Sequence, residues 1–338
     1  MPDDAVSKVL NSFPRPVLVV TTLAGKGIYT IGEALCERFS STDEVYHLSI
    51  EEMLPDRALA EDYKRYNFIS NNFPILLNLP YRIPFFYYRK LFREKYFSLA
   101  DLSKLKAVVL EKGIQTVICA SHRPAFWFSY LKLREKMSFT LWGMLSEFGR
   151  SLGWKYIFWE AMDGFFSPVE QNTLDFPFPR LLRYVKAQPP CKREYYTLAE
   201  SRGLKNNVLL VAGHWGQIFP NNARTILDSL LKKFPLMTIY VVCGKNQRLY
   251  EDHLIHYKNN KRIVLYGEIP SLVDVMGPCA SVITKPGIST LLEAYAAKRK
   301  IFLLRGMPVA EDNNALYAIN NFNAEWFSVN AFADWYNS

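Results

Sequence analysis

The second half of the chain alternates short β-branched runs with helical stretches, and that alternation limits the folds open to it. Apolar runs of strand length fall at residues 208–212, 237–243, 262–266, 281–284 and 300–304. Helical patterns occupy residues 221–233, 247–257, 271–276, 289–297 and 313–320 between and after them. Strands separated by helices in this way pair in parallel, because each helix carries the chain back across one face of the sheet. The expected fold class is therefore α/β with a doubly wound parallel sheet.

The first half begins alike. A strand-like run at residues 16–22 (PVLVVTT) leads through Leu-Ala-Gly-Lys-Gly to a helical pattern at 29–39, with a second strand expected at 44–50. The pattern resumes with strands expected at 116–120, 139–145, 155–159 and 165–169. Residues 174–206 are rich in Pro, Lys and Arg, as in PFPR and QPPCKR, and read as a connection. At 338 residues the chain is long for a single core. Two Rossmann-like domains are expected, residues 1–190 and 191–338. Tandem sheets of this kind bring the carboxyl ends of their strands face to face across a cleft, where ligands of such sheets bind.

An apolar fraction of 49% with 22% charged residues excludes a disordered chain. The net charge of +9 favours an anionic partner: nucleotide phosphate, anionic membrane or nucleic acid. Cys36, Cys119, Cys191, Cys243 and Cys279 are dispersed, without metal-ligand spacing or a disulfide framework, and read as buried free thiols of a reducing compartment. The acidic N-terminal segment lacks the long apolar run of a signal peptide, and no stretch is apolar enough to span a bilayer. A cytoplasmic protein, able to lie peripherally on a membrane, is expected.

Residues 283–294 (ITKPGISTLLEA) concentrate the chemistry. They read as a strand, a tight turn at Pro286 and Gly287, and a helix opening at Ile288, Ser289 and Thr290. The first N–H groups of a helix have no internal acceptors, and with the helix dipole they form an anion site. Gly287 lets a phosphate approach the backbone, the hydroxyls of Ser289 and Thr290 add donors, and Lys285 adds a positive charge. Glu293, one turn along, can accept hydrogen bonds from two adjacent sugar hydroxyls.

This stretch resembles the donor-binding segment of the processive diacylglycerol glucosyltransferases and the monogalactosyldiacylglycerol synthases, relatives of the peptidoglycan N-acetylglucosaminyltransferase. The resemblance extends through residues 241–246 (VVCGKN), 266–287 (YGEIPSLVDVMGPCASVITKPG) and 308–317 (PVAEDNNALY), in the family's order and spacing. It implies a GT-B glycosyltransferase of two Rossmann-like domains that uses a UDP-sugar as co-substrate, with no further cofactor and no metal, and inverts the anomeric carbon. By the family's pattern Gly287, Ser289 and Thr290 would hold the diphosphate, Glu293 the ribose, and the backbone of Ile269 the base. Glu311 and Asn314 would contact the donor sugar. Gly213, His214 and Gly216, in the loop that also holds Trp215, match a glycine loop facing the diphosphate.

The N-terminal match lies in residues 21–35 (TTLAGKGIYTIGEAL), which keep the acceptor-side glycines Gly25 and Gly27 but place Ile28 where the family has histidine. The family's candidate general base is a carboxylate in the first domain, matched by Glu147; His122, in ASHRPAF, is the alternative. Residues 78–97 (NLPYRIPFFYYRKLFREKYF) set Phe85, Tyr88, Phe92 and Tyr96 on one helical stripe flanked by Arg82, Arg89 and Arg93. Aromatic rings beside a basic edge suit an anionic bilayer surface, and also base stacking or an ordinary core helix. Lipid-modifying relatives carry a comparable insertion, which favours membrane contact through Phe85, Tyr88, Arg89, Phe92 and Arg93 and a lipid acceptor over nucleic acid. A soluble acceptor, or a nucleotide-binding relative without independent catalysis, is the alternative.

Overall fold

The computed structural model describes the chain except for residues 1–3, 24–25, 55–101, 150, 175, 177, 180–181, 215–219 and 307–309. The basic aromatic stretch with Phe85, Tyr88, Arg89, Phe92 and Arg93 lies outside the described residues, as do Gly25 and Gly216. The chain forms two compact units, one from Met1–Pro190 and the other from Cys191–Met307 and Glu311–Ser338.

The first unit starts with helix α1 (Asp4–Leu10), strand β1 (Val17–Thr21), α2 (Lys26–Cys36), β2 (Val45–Ser49) and α3 (Ile50–Met53). It continues with α4 (Ser103–Glu111), β3 (Thr116–Cys119), α5 (His122–Arg134), β4 (Thr140–Met144), β5 (Gly164–Ser167) and β6 (Arg183–Lys186). Its six strands are ordered β2-β1-β3-β4-β5-β6, all parallel. Every residue of β1, β3 and β5 is buried, as a sheet covered on both faces requires. The order turns around at β1, so the loops after β1 and β3 leave toward opposite faces and part at the carboxyl edge.

The second unit contains α6 (Arg193–Thr197), β7 (Leu204–Val211), α7 (Pro220–Lys233), β8 (Thr238–Val242), α8 (Gln247–Tyr257) and β9 (Ile263–Tyr266). There follow α9 (Val273–Met276), β10 (Cys279–Thr284), α10 (Ile288–Ala296), β11 (Lys300–Leu303), α11 (Ala310–Asn321), β12 (Glu325–Trp326) and α12 (Val329–Asn337). The strand order β12-β11-β10-β7-β8-β9 is again wholly parallel. It is the dinucleotide-fold order, reversing between β7 and β10. The α/β architecture of two Rossmann-like sheets expected from the sequence is thus the one observed.

Three stretches differ from expectation. Residues 155–159 form no strand; short 3-10 turns occupy Leu152–Tyr156 and Trp159–Ala161. The indole N–H of the buried Trp159 donates to the Trp154 carbonyl at 3.0 Å, a reach of five residues that an extended strand cannot make. The expected connection at 174–206 supplies β6 and α6, and β7 begins inside it at Leu204. β6 is an edge strand, more exposed than the inner strands, so it shows no apolar run. At the C-terminal side, β12 and α12 escape the strand and helix patterns. Ser328 caps α12 by accepting from the Ala331 N–H at 3.0 Å, and Phe332 is fully buried against Phe302 and Phe234.

Two features set the rigidity of the frame. In the first unit Trp159, Phe165, Phe176 and Phe178 pack ring against ring, with centroids 4.8–6.0 Å apart. In the second, the buried Arg299 donates to the carbonyls of Leu198, Ser201 and Gly277, tying the segment before β7 to the sheet. Truncation of Phe165 to alanine should cost about 3–5 kcal/mol, read as a lower denaturant midpoint with an unchanged slope.

Candidate functional site

The crevice between β7 and β10 is where the second unit's connections part, and the sequence places its glycine turns there. β10 ends at Thr284, and Lys285, Pro286 and Gly287 turn directly into α10. Gly287 is the N-cap, with φ −73° and ψ 130°, values open to any residue. Among the described residues, a Cβ built on it meets no atom within 4 Å. Among the described residues, neither backbone strain nor internal packing therefore requires a glycine here. Gly267, in the loop after β9, likewise has nothing within 4 Å of a built Cβ.

The opposite lip follows β7. Gly213 adopts φ +74° and Gly244, after β8, φ +62°. A Cβ on Gly244 would collide with the carbonyl oxygens of Gly213 and His214, so the two loops pack backbone on backbone. The Lys245 N–H donates to the His214 carbonyl at 2.7 Å. Glu268, exposed on the β9 loop, lies 3.7 Å from His214 Nδ1 and 3.8 Å from Lys245 Nζ. These gaps are too long for good hydrogen bonds but place mixed charge beside Ile269. Lys245 was not singled out from the sequence, although it lies in the motif block at residues 241–246, and Glu268 lies in the loop expected at the base.

Behind the turn at residues 285–287, Ser289 is half-buried, and Thr290 and Glu293 are 8% and 6% exposed. Tyr195 of α6 accepts from the Leu272 N–H at 3.1 Å and shares a hydrogen bond with Ser271 Oγ at 3.2 Å. Burial, then the charge of Glu293, pushes its phenol pKa up. The wall behind Glu293 is thus built by a residue from the segment preceding β7. Lys285 and Glu311 form an ion pair at 2.6 Å, and Asn314 Nδ2 donates to the Pro286 carbonyl at 3.1 Å. The structure therefore brings together Gly213, His214, Ile269, Lys285, Gly287, Ser289, Thr290, Glu293, Glu311 and Asn314 in one unit.

The first unit holds the other candidates. His122 opens α5 immediately past β3, and Glu147 follows β4, half-buried. Their loops are joined where the Ser146 hydroxyl donates to the Ala120 carbonyl. The His122 ring lies so close to Gly153 that any side chain there would overlap it. Burial, and then the Arg123 charge, pushes His122 down to about 3. It is neutral near pH 7, and a base that weak is poorly matched to proton abstraction there. Gly27 and Ile28 lie in the first turn of α2. Beside them is a polar group that sequence reading missed. Glu51 accepts from Thr22 Oγ1 at 2.6 Å and from the Leu23 N–H at 3.0 Å, holding the start of the glycine loop. His47 Nε2 shares a 3.0 Å hydrogen bond with Thr21 Oγ1 beneath α2. Only β-strand pairing brings residues 26 to 29 positions apart into this group.

Two solved structures share this architecture across almost the whole chain. Acinetobacter baumannii MurG superposes with a TM-score of 0.53 at 11% identity, covering 95% of this chain and 89% of its own. The glycotransferase of kitacinnamycin gives 0.53 at 10% identity, covering 96% and 92%. The likeness to these two glycosyltransferase structures is one of fold. Its sequence relatives are narrower in kind. A processive diacylglycerol beta-glucosyltransferase of Bacillus cereus (strain B4264) is 30% identical over 134 residues, and that of Bacillus cytotoxicus is 32% identical over 114. These matches cover 39% and 33% of this chain, but only 33% and 29% of the relatives' lengths. No family model matches.

The buried imidazole makes a pH prediction. The folded pKa of His122 lies below the ordinary 6.5, so its contribution to stability is complete above pH 6.5 and is lost as pH falls toward 3. Relative to a His122→Gln variant, the native chain should lose about 2 kcal/mol between pH 7 and pH 5 in urea unfolding. A pH-independent difference would show that His122 protonates freely in the folded state.

Proposed function

We propose that this chain transfers a hexose from a UDP-sugar to an acceptor hydroxyl, and that the acceptor is a lipid such as diacylglycerol. The observation that carries the reading is Gly287: an unstrained glycine, unobstructed among the described residues, capping a helix at the reversal point of a parallel sheet. The α10 amides and the Lys285 ammonium would hold the diphosphate and take up charge as it leaves. They supply positive potential that other transferases draw from a metal ion. Glu293 would accept the ribose hydroxyls, and the Ile269 backbone would meet the base.

The reaction is a displacement in which the acceptor oxygen bonds to the anomeric carbon as the bond to the diphosphate oxygen breaks, inverting that centre. Glu147 would serve as the base, its carboxylate following β4 where the resemblance calls for one, with His122 the alternative. Among the described residues no helix is long and apolar enough to cross a membrane. A lipid acceptor would therefore be met at a membrane surface, which the basic aromatic residues 78–97 suit by composition, on the cytoplasmic side. The names of the sequence relatives support diacylglycerol. Ile28, in place of the expected histidine, favours a second reading in which the same donor chemistry serves a soluble acceptor.

Calorimetric titration with UDP should show binding, and Glu293→Ala should weaken it about 30-fold, equivalent to about 2 kcal/mol for a charge-assisted contact to two hydroxyls. Unchanged affinity would remove Glu293 from the ribose site. In flotation with vesicles, a lipid-acceptor enzyme should rise with anionic liposomes, whereas a chain that stays in the soluble fraction would favour the second reading.

A further inference from the structure

Lys285 does not extend freely from the end of β10. Its aliphatic stem crosses the lip formed by Gly213, where a built Cβ would stand 2.9 Å from Lys285 Cε, and its ammonium ends 2.6 Å from Glu311 Oε1. The other carboxylate oxygen, Oε2, is seated against Gly306, leaving no room there for a side chain. Glu311 is 7% exposed and stands in the first turn of α11, where the helix dipole favours a negative charge. One turn on, Asn314 is 1% exposed and donates to the Pro286 carbonyl, the backbone of the same phosphate turn. The first turns of α11 thus grip residues 285 and 286 twice, once at the cation and once at the backbone.

We propose that Glu311 is a positioning residue that fixes the Lys285 ammonium at the crevice, and that it promotes diphosphate binding through Lys285 instead of by touching the donor sugar. The inference rests on the donor-site reading. A lysine stem has many rotamers, and an ammonium without a seat must be ordered when the anion arrives. Glu311 supplies that order beforehand, with Gly213 and Gly306 leaving space for the stem and the carboxylate. Because Glu311 is itself negative, a carboxylate that merely competed with the diphosphate for Lys285 would have the opposite effect on binding. The sign of its removal separates the two roles.

The test is a double-mutant cycle on the full chain, with UDP and uridine as paired probes. Lys285→Met should weaken UDP binding at least tenfold and leave uridine unchanged. Glu311→Gln should weaken UDP about five- to tenfold, again without effect on uridine. In the Lys285→Met background, Glu311→Gln should change UDP affinity less than twofold, because its influence passes through the missing ammonium. Glu311→Asp, which withdraws the carboxylate by one methylene, gives a second reading should Glu311→Gln fold poorly; its UDP loss should be several-fold with uridine unaffected. Tighter UDP binding in Glu311→Gln, losses that multiply across the cycle, or a parallel loss of uridine would each overturn the inference while leaving the donor site intact. A native chain that bound neither probe would overturn the donor reading, and the inference with it.

Discussion

A wholly parallel sheet cannot be wound in one direction from edge to edge and still begin in its middle. The second unit starts at β7, runs outward through β8 and β9, then returns to place β10 on the other side of β7. Right-handed crossovers on opposite sides of that point send their helices to opposite faces, and a crevice opens at the carboxyl ends. The rest of the site follows from this constraint. The glycine loop after β7 and the Pro286–Gly287 turn after β10 become neighbours, although about 70 residues separate them, as parallel β7–β10 pairing sets them side by side.

Within that crevice the positive potential comes from two sources of different character. The α10 amides are fixed by the backbone and need no side chain to aim them. The Lys285 ammonium is a point charge on a flexible stem and is held by contact with Glu311. Glycine marks the places where backbone or ligand must come close. At Gly244 the neighbouring loop fills the space, whereas at Gly287 none of the described residues does.

The first unit repeats the winding with a different outcome. Its loops after β1 and β3 also part at a reversal, but the polar groups gathered there are a carboxylate that braces a loop, Glu51, and a histidine that burial keeps neutral, His122. Burial lowers the His122 pKa because a charged imidazolium would lose its hydration, and the neighbouring Arg123 charge lowers it further.

The sequence by itself determined what is local. Strand runs such as residues 208–212, the helix at 247–257 and the turn at Pro286–Gly287 are encoded in periodicity and turn chemistry spanning a dozen residues or fewer, so they were legible at once. β6 was not, because an edge strand lacks the apolar signal, and the Trp159 turn was not, because an apolar run alone cannot distinguish a strand from a packed aromatic turn. The site divided along the same line. The strand, turn and helix of residues 283–294 were legible in the sequence, but the partners of its charges were decided by tertiary structure. The Lys285–Glu311 pair spans 26 residues, Tyr195 reaches Ser271 across 76, and the pKa of His122 depends on a ring packed against Gly153. Hydrogen bonds and desolvation act through space, so their partners emerge only once the sheets have set distant loops side by side.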